Sequence, residues 1–243
     1  MFGVIGQGVV IKNLKNKLNI KATTSEKSVY TGSLVGSALY TFTIQNCSNV
    51  GSVESSSQFV GGLIGSVTFG NDTKAVVEAC SFKGEVNNNR TIGGTVSTGG
   101  LIGFVNASSK TTSTLNVNGC YVDGAVLLKP QNNYCGGIVG FVQNCKSDGM
   151  LTVAACWVRN ITYPTNAGNL ASIVSSVGSN LVYKVNTCWS DEQKKFKVSS
   201  AATEVDCKSG TDVKLEDMIS SMNTAWSSSA YEFNNDGTIK VKE

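Results

Sequence analysis

The pentapeptide GGLIG stands at residues 61–65 and again, unchanged, at 99–103, and GGIVG follows at 136–140. Aligning these motifs yields six copies: FGVIG (2–6), GSLVG (32–36), GGLIG (61–65), GGLIG (99–103), GGIVG (136–140) and a degenerate ASIVS (171–175). Successive copies start 29 to 38 residues apart, a period that points to stacked structural repeats. A second motif follows each one: IKNL (11–14), IQNC (44–47), VEAC (77–80), VNGC (117–120), VAAC (153–156) and VNTC (185–188). The spacing between the two motifs varies because segments such as TFGNDTKA and NASSKTTST intervene. Fixed motifs with variable spacers describe rungs joined by loops of free length.

The second motif can be read residue by residue, counting from its cysteine. Position −3 is Ile44, Val77, Val117, Val153 and Val185, and position +2 is Asn49, Phe82, Val122, Val158 and Ser190. Position +6 is Val53, Val86 and Val126. Inward residues of a strand recur at every second place, so the odd step from −3 to 0 predicts a corner at −2 and −1. Position +4 is Gly51, Gly84, Gly124 and Asn160, residue types that tolerate positive φ, which predicts a second corner. Three short strands per repeat with corners between them make one coil of a parallel β-solenoid. The expected fold is all-β: a parallel, right-handed β-helix of five to six coils over residues 1–190, with residues 191–243 as a C-terminal cap.

A phosphate-binding loop is the rival reading of GGLIG. The motif lacks the Lys-Ser/Thr ending of a P-loop and the G-x-G-x-x-G spacing, and it recurs in every coil where a phosphate site occurs once. Composition agrees with a β-rich, turn-rich chain: 26 Gly, 2 Pro and only 15% charged residues. Residues 1–189 carry 13 Lys/Arg against 7 Asp/Glu, and residues 190–243 carry 7 against 10. The basic cluster Lys12, Lys15, Lys17, Lys21 and Lys27 lacks the Arg density and interleaved aromatics of a nucleic-acid surface, so no nucleic-acid partner is expected. No apolar run approaches the ~20 residues of a membrane span. MFGVIGQGVVIKNLK has no basic region ahead of its apolar start, so an export signal would lie outside this sequence.

The paired motifs, Gly-Leu-hydrophobic-Gly and then x-Asn/Ala-Cys-x-x-x-Gly-x-Val, resemble the GLUG repeats of secreted bacterial surface proteins, which include adhesin-like proteins. The likeness covers residues 2–190, and FGVIGQGVVIKNL looks like an early coil of such an array. The resemblance implies export to the cell surface, a binding or spacer role without catalysis, and further coils upstream. It names no ligand.

Five of the eight cysteines, Cys47, Cys80, Cys120, Cys156 and Cys188, share one register. Stacked side chains have parallel Cβ vectors, which oppose the disulfide torsion, so a column of reduced, buried thiols is expected. Cys135 and Cys145 flank GGIVGFVQN outside that register, which leaves both a disulfide and two free thiols open. Cys207 lies in the tail without an evident partner. With no histidine and no C-x-x-C pair, neither a metal nor a cofactor is expected, and Ser-His or Cys-His nucleophiles are excluded. Among the acidic residues, Glu78 at −2 and Asp123 at +3 can fall on neighbouring coils. A carboxylate pair of that kind is what a glycan-active enzyme on a β-helix, the alternative function, would need. An ice-binding solenoid would want a threonine ladder, and the threonines here keep no register.

Position +1 reads Ser48, Ser81, Tyr121, Trp157 and Trp189. Three aromatics on consecutive coils predict a flat exposed strip on which sugars stack, unless the tail covers it. Tyr121, Trp157 and Trp189 are therefore the expected ligand-binding residues, with a surface glycan or host protein as partner. In the tail, DVKLEDMISSMNTAW (212–226) sets Leu215, Met218, Ile219, Met222 and Trp226 on one helical face, with Thr211 or Asp212 as N-cap. YEF (231–233) and TIKV (238–241) flank NNDG as a hairpin. Such a tail is expected to seal the open end of the solenoid.

Overall fold

A computed structural model of the chain describes residues 1–23, 29–91, 94–107, 112–124, 126–128, 133–143, 151–163, 168–175, 183–191, 203–210 and 213–243. The chain winds as a β-solenoid of about five turns, and each turn visits four parallel sheets, one more than the motifs suggest. Sheet I stacks Tyr30–Gly32, Phe59–Gly61, Val96–Gly99, Asn133–Gly136 and Asn169–Ala171. Sheet II stacks Phe2–Ile5, Val35–Leu39, Ile64–Thr68, Ile102–Asn106 and Val139–Gln143. Sheet III runs from Val9–Lys12 through Phe42–Gln45, Lys74–Glu78, Thr114–Asn118, Leu151–Ala154 and Lys184–Asn186 to Thr203–Val205. Sheet IV holds the segments after each cysteine, among them Ser48–Ser55, Ser81–Asn88, Tyr121–Asp123 and Trp157–Arg159.

The extra strand arises because a corner lies inside the glycine motif, between sheets I and II. A Cβ on Gly61 would stand 2.0 Å from the Ile64 carbonyl oxygen, and one on Gly62 2.0 Å from that of Gly100. Close backbone approach, not positive φ, demands glycine here. Just past this corner the Leu63 and Ile64 N–H groups both donate to the Leu101 carbonyl on the next coil, at 3.0 Å each. The third letter of the motif then points inward: Leu34, Leu63, Leu101, Ile138 and Ile173 are all buried. Each fully buried side chain of this size contributes roughly 1.5–3 kcal/mol.

The expected corner before the cysteine is present in every coil. Asn13, Asn46, Ala79, Gly119, Ala155, Thr187 and Asp206 all have left-handed φ, between 49° and 60°. The expected positive φ at +4 is present at Gly51, Gly84 and Asn160, and the strands Tyr121–Asp123 and Trp157–Arg159 end just before that position, but the two preceding coils do not break there. Sheet IV runs unbroken through Ser48–Ser55 and Ser81–Asn88, so Gly51 and Gly84 sit inside strands. They are required by that positive φ and because the coils touch there: a Cβ on Gly84 would lie 1.9 Å from the Gly51 oxygen. Asn49 is polar at an inward place because the first coil presents Leu18 beside it. The Asn49 side chain accepts from the Leu18 N–H at 2.8 Å and donates to its carbonyl at 3.0 Å.

Strands Thr203–Val205 and Lys208–Ser209 pair with Lys184–Asn186 and Trp189–Ser190, which carries the stack past residue 190. Beyond it come the helix Leu215–Ala225 and the antiparallel hairpin of Tyr231–Phe233 with Ile239–Val241. The helix starts at Lys214, whose backbone N–H is accepted by the Asp217 carboxylate; Thr211 and Asp212 lie outside the described residues. The tail is the expected helix and hairpin. It lies along the flank of the solenoid, over the corner between sheets III and IV.

Candidate functional site

The flank under the tail is where the expected ligand-binding residues sit. Tyr121, Trp157 and Trp189 are register partners on successive coils of sheet IV. Trp157 is 1% exposed and Trp189 5%, and Tyr121 is half-buried. The helix and hairpin cover them with Leu215, Met218, Ile219, Met222, Trp226, Tyr231 and Phe233. The Trp157 indole N–H donates to the Gly237 carbonyl at 3.0 Å, and that of Trp189 to Val213 at 2.7 Å. Trp226 answers from the tail, reaching the Glu78 carboxylate at 2.9 Å. Of the two readings of this strip, exposed platform or surface covered by the tail, the second holds: it is a buried seam.

Geometry also works against sugar stacking on this strip. In a parallel solenoid, rings in register lie face to face along the axis instead of side by side on the surface. Tyr121 and Trp157 have centroids 4.4 Å apart and planes within 4°, so each ring occupies a face of the other. A second ladder, missed in the sequence, shows the same arrangement between sheets I and II. Tyr30, Phe59, Phe104, Phe141 and Tyr134 stack in turn, with centroids 4.1 to 5.7 Å apart. Its signal is divided between two positions, two before the glycine motif (Tyr30, Phe59, Tyr134) and just after it (Phe104, Phe141). Only reading both flanks together would have revealed it.

Inside the same corner runs the thiol column. Cys47, Cys80, Cys120, Cys156 and Cys188 are buried free thiols, and Cys207 continues the column as a half-buried sixth. Each sulfur lies near the carbonyl two residues back, at 3.2–3.3 Å, and near one on the preceding coil, at 3.4–3.7 Å. Carbonyl oxygens only accept, so the sulfurs donate and carry their protons. Burial pushes the Cys120, Cys135 and Cys188 thiols well above the ordinary range. Protonated, enclosed thiols are poor nucleophiles. We expect Cys47, Cys80, Cys120, Cys156 and Cys188 to be alkylated only as fast as the chain unfolds, with Cys207 the first of the column to react. Timed iodoacetamide labelling with peptide mass mapping reads this directly. Cys145 falls outside the described residues, so its relation to Cys135 lies outside them too.

The two carboxylates that could have formed a pair are on different sheets. Glu78, on sheet III, accepts from Gln45 and Trp226. Asp123, on sheet IV, accepts from Arg159 at 2.8 Å and from Asn160 at 2.6 Å, with Lys83 at 3.6 Å. Burial pushes the Asp123 carboxyl up, but the hydrogen bonds from Arg159 and Asn160 outweigh it and hold it below the usual range. Arg159 also lies over the Trp157 ring, 5.1 Å from its centroid, joining this network to the seam. A depressed carboxyl stabilises the fold above its unfolded pKa of ~3.9 and loses that contribution as pH falls through the lower folded value. Asp123→Asn should therefore cost about 1 kcal/mol at neutral pH, given the half-exposed guanidinium. It should also flatten the acid limb of stability below about pH 4, measured by urea unfolding across pH.

Among the described residues no three His, Cys, Asp or Glu side chains converge in a metal-binding arrangement. An open groove of about 770 Å³ lies on the tail, lined by residues that include Glu216, Asn223, Glu232 and Lys242. Its charges are engaged locally: Lys242 donates to the Ser227 carbonyl at 2.8 Å, and Glu232 pairs with Lys240 at 2.9 Å. Comparison with known proteins returns neither a matching family model nor a matching curated sequence.

Proposed function

We propose that the chain is a rigid, non-enzymatic module of an exported surface protein that acts as a spacer. Any adhesion to glycan or host protein would run along its outer sheets, not through the capped strip of Tyr121, Trp157 and Trp189. One observation carries this reading: the groups that could have served a ligand are turned on one another. Ring faces cover ring faces, thiols donate to carbonyls, and the Asp123 carboxylate is matched by Arg159 and Lys83. What remains is a stiff stack of coils at ~4.8 Å per rung. The resemblance of the paired motifs to secreted surface repeats supports the location, and no helix among the described residues is long and apolar enough to cross a membrane.

Protease treatment of intact expressing cells, followed by an immunoblot for this chain, tests the location. We expect cleavage from outside; full protection in intact cells that ends on lysis would overturn it. A panel of polysaccharides incubated with the purified chain tests the absence of catalysis, and hydrolysis or elimination products would establish the glycan-active alternative instead.

A further inference from the structure

The thiol column sets six soft ligands on one line. Register pairing of the residues that follow them places Cys47, Cys80, Cys120, Cys156, Cys188 and Cys207 on successive coils. Each sulfur is in hydrogen-bond contact with the next, from Cys47 and Cys80 through to Cys188 and Cys207. Leu14 fills the same place on the coil before Cys47 and bounds the column there with hydrocarbon.

Backbone donors also aim at these sulfurs. The Cys80 N–H donates to the Cys120 sulfur and the Cys120 N–H to the Cys156 sulfur, at 3.4 Å each. Donors of this kind are the outer support of metal–thiolate centres. Among the described residues no three ligating side chains converge on one point, so a tetrahedral ion such as Zn(II) finds no seat. A two-coordinate ion needs only the sulfur above it and the sulfur below. Two metal–sulfur bonds of ~2.3 Å span ~4.0 Å when bent to a trigonal angle and ~4.6 Å in line. Neighbouring coils stand ~4.8 Å apart, so contacting sulfurs on adjacent coils fit that span.

We propose that the column is a site for monovalent, thiophilic ions of the Cu(I) class, one seated between each neighbouring pair of sulfurs. Six sulfurs in line leave five such seats. Soft thiolate ligands select Cu(I) over harder ions. On loading, S–H bonds break, Cu–S bonds form and the protons leave to water; no electron is transferred. Six thiolates and five monovalent cations leave one net negative charge spread over the column, whereas a lone buried thiolate would be costly. Half-buried Cys207 is the member of the column that solvent reaches, and the inner seats fill as coils open locally. The site adds to the spacer reading and does not depend on it.

The test is anaerobic titration of the full chain with Cu(I), supplied as its acetonitrile complex. Bound ions are counted by native mass spectrometry, and the thermal midpoint is read by circular dichroism. Wild type is expected to take up Cu(I) to saturation with its sheet signal kept. Its midpoint should rise, since an ion that binds the folded state best stabilises it. Two variants then separate a shared chain of ions from single-sulfur binding. Cys47→Ser removes one seat at the end of the column and should lose one ion; Cys120→Ser breaks the two seats beside it and should lose two. Any ion held elsewhere is common to all three proteins and cancels in the difference. Should Cys120→Ser lose its cooperative melt, Cys120→Ala repeats the count. Loss of one ion in each variant overturns the proposal. So does a folded wild type that takes up no Cu(I), or uptake that unfolds the sheets.

Discussion

Replacing Trp157 by alanine is expected to cost about 3–5 kcal/mol, at the upper end for a single buried aromatic. The ring has four attachments that alanine cannot make. It stacks on Tyr121 at 4.4 Å, donates to the Gly237 carbonyl at 3.0 Å, lies under the Arg159 guanidinium at 5.1 Å, and forms part of the floor on which the helix packs. The loss should concentrate in the tail, whose link to the solenoid runs through this seam. Limited proteolysis of Trp157→Ala should cut within residues 213–243 well before the sheets, while wild type resists at both places. Urea unfolding gives the magnitude. A variant with wild-type stability and an uncut tail would mean that the seam is not what holds the helix and hairpin in place.

The second large effect is expected at Gly119. This residue has φ of +58°, but positive φ alone does not explain the glycine, since Ala79 and Ala155 hold the same conformation in neighbouring coils. The difference is Trp226: a Cβ on Gly119 would lie 2.2 Å from its ring. Gly119→Ala must push out the indole that ties the tail to Glu78, at a cost of about 3 kcal/mol from overpacking and backbone strain together. In a Trp226→Ala background the same change should cost only about 1–2 kcal/mol, the left-handed penalty alone. The difference is the coupling measured by a double-mutant cycle. An equal penalty in both backgrounds would show that the glycine serves the backbone and not the seat of Trp226.

These two positions also show how far the sequence could be read. The repeat period, the inward ladder of valines and the corner before each cysteine were legible because stacking forces like residues into like places. The fourth strand was hidden because its corner, at Gly62 and Leu63, falls inside one motif that reads as a single unit. The last coil was hidden for two reasons. Cys207 follows Cys188 by only 19 residues where the other steps are 32 to 40, and Glu204 replaces the expected valine. The aromatic strip was located correctly on successive coils, but whether it lay open or under the tail was left between two readings. Periodicity fixes which way Trp157 points, whereas its cover depends on contacts 80 residues away, such as that with Gly237. No local pattern encodes such a distance, although the apolar face of Leu215, Met218, Ile219 and Met222 announced that the helix must cover something.

The lateral position of the tail changes how the molecule should come apart. A bare solenoid couples each coil only to its neighbours, so it can fray inward from either end in small steps. Here one clasp touches Ala79, Ala155, Trp157 and Trp189 at once and reaches Glu78 from Trp226 across 148 residues of chain. The coils it grips must open together or not at all. No residue before Glu78 belongs to the cluster or hydrogen bonds of this clasp, and the leading coils make up the portion expected to melt first. The protein is thus divided mechanically, though not topologically, into a locked barrel and a looser leading end.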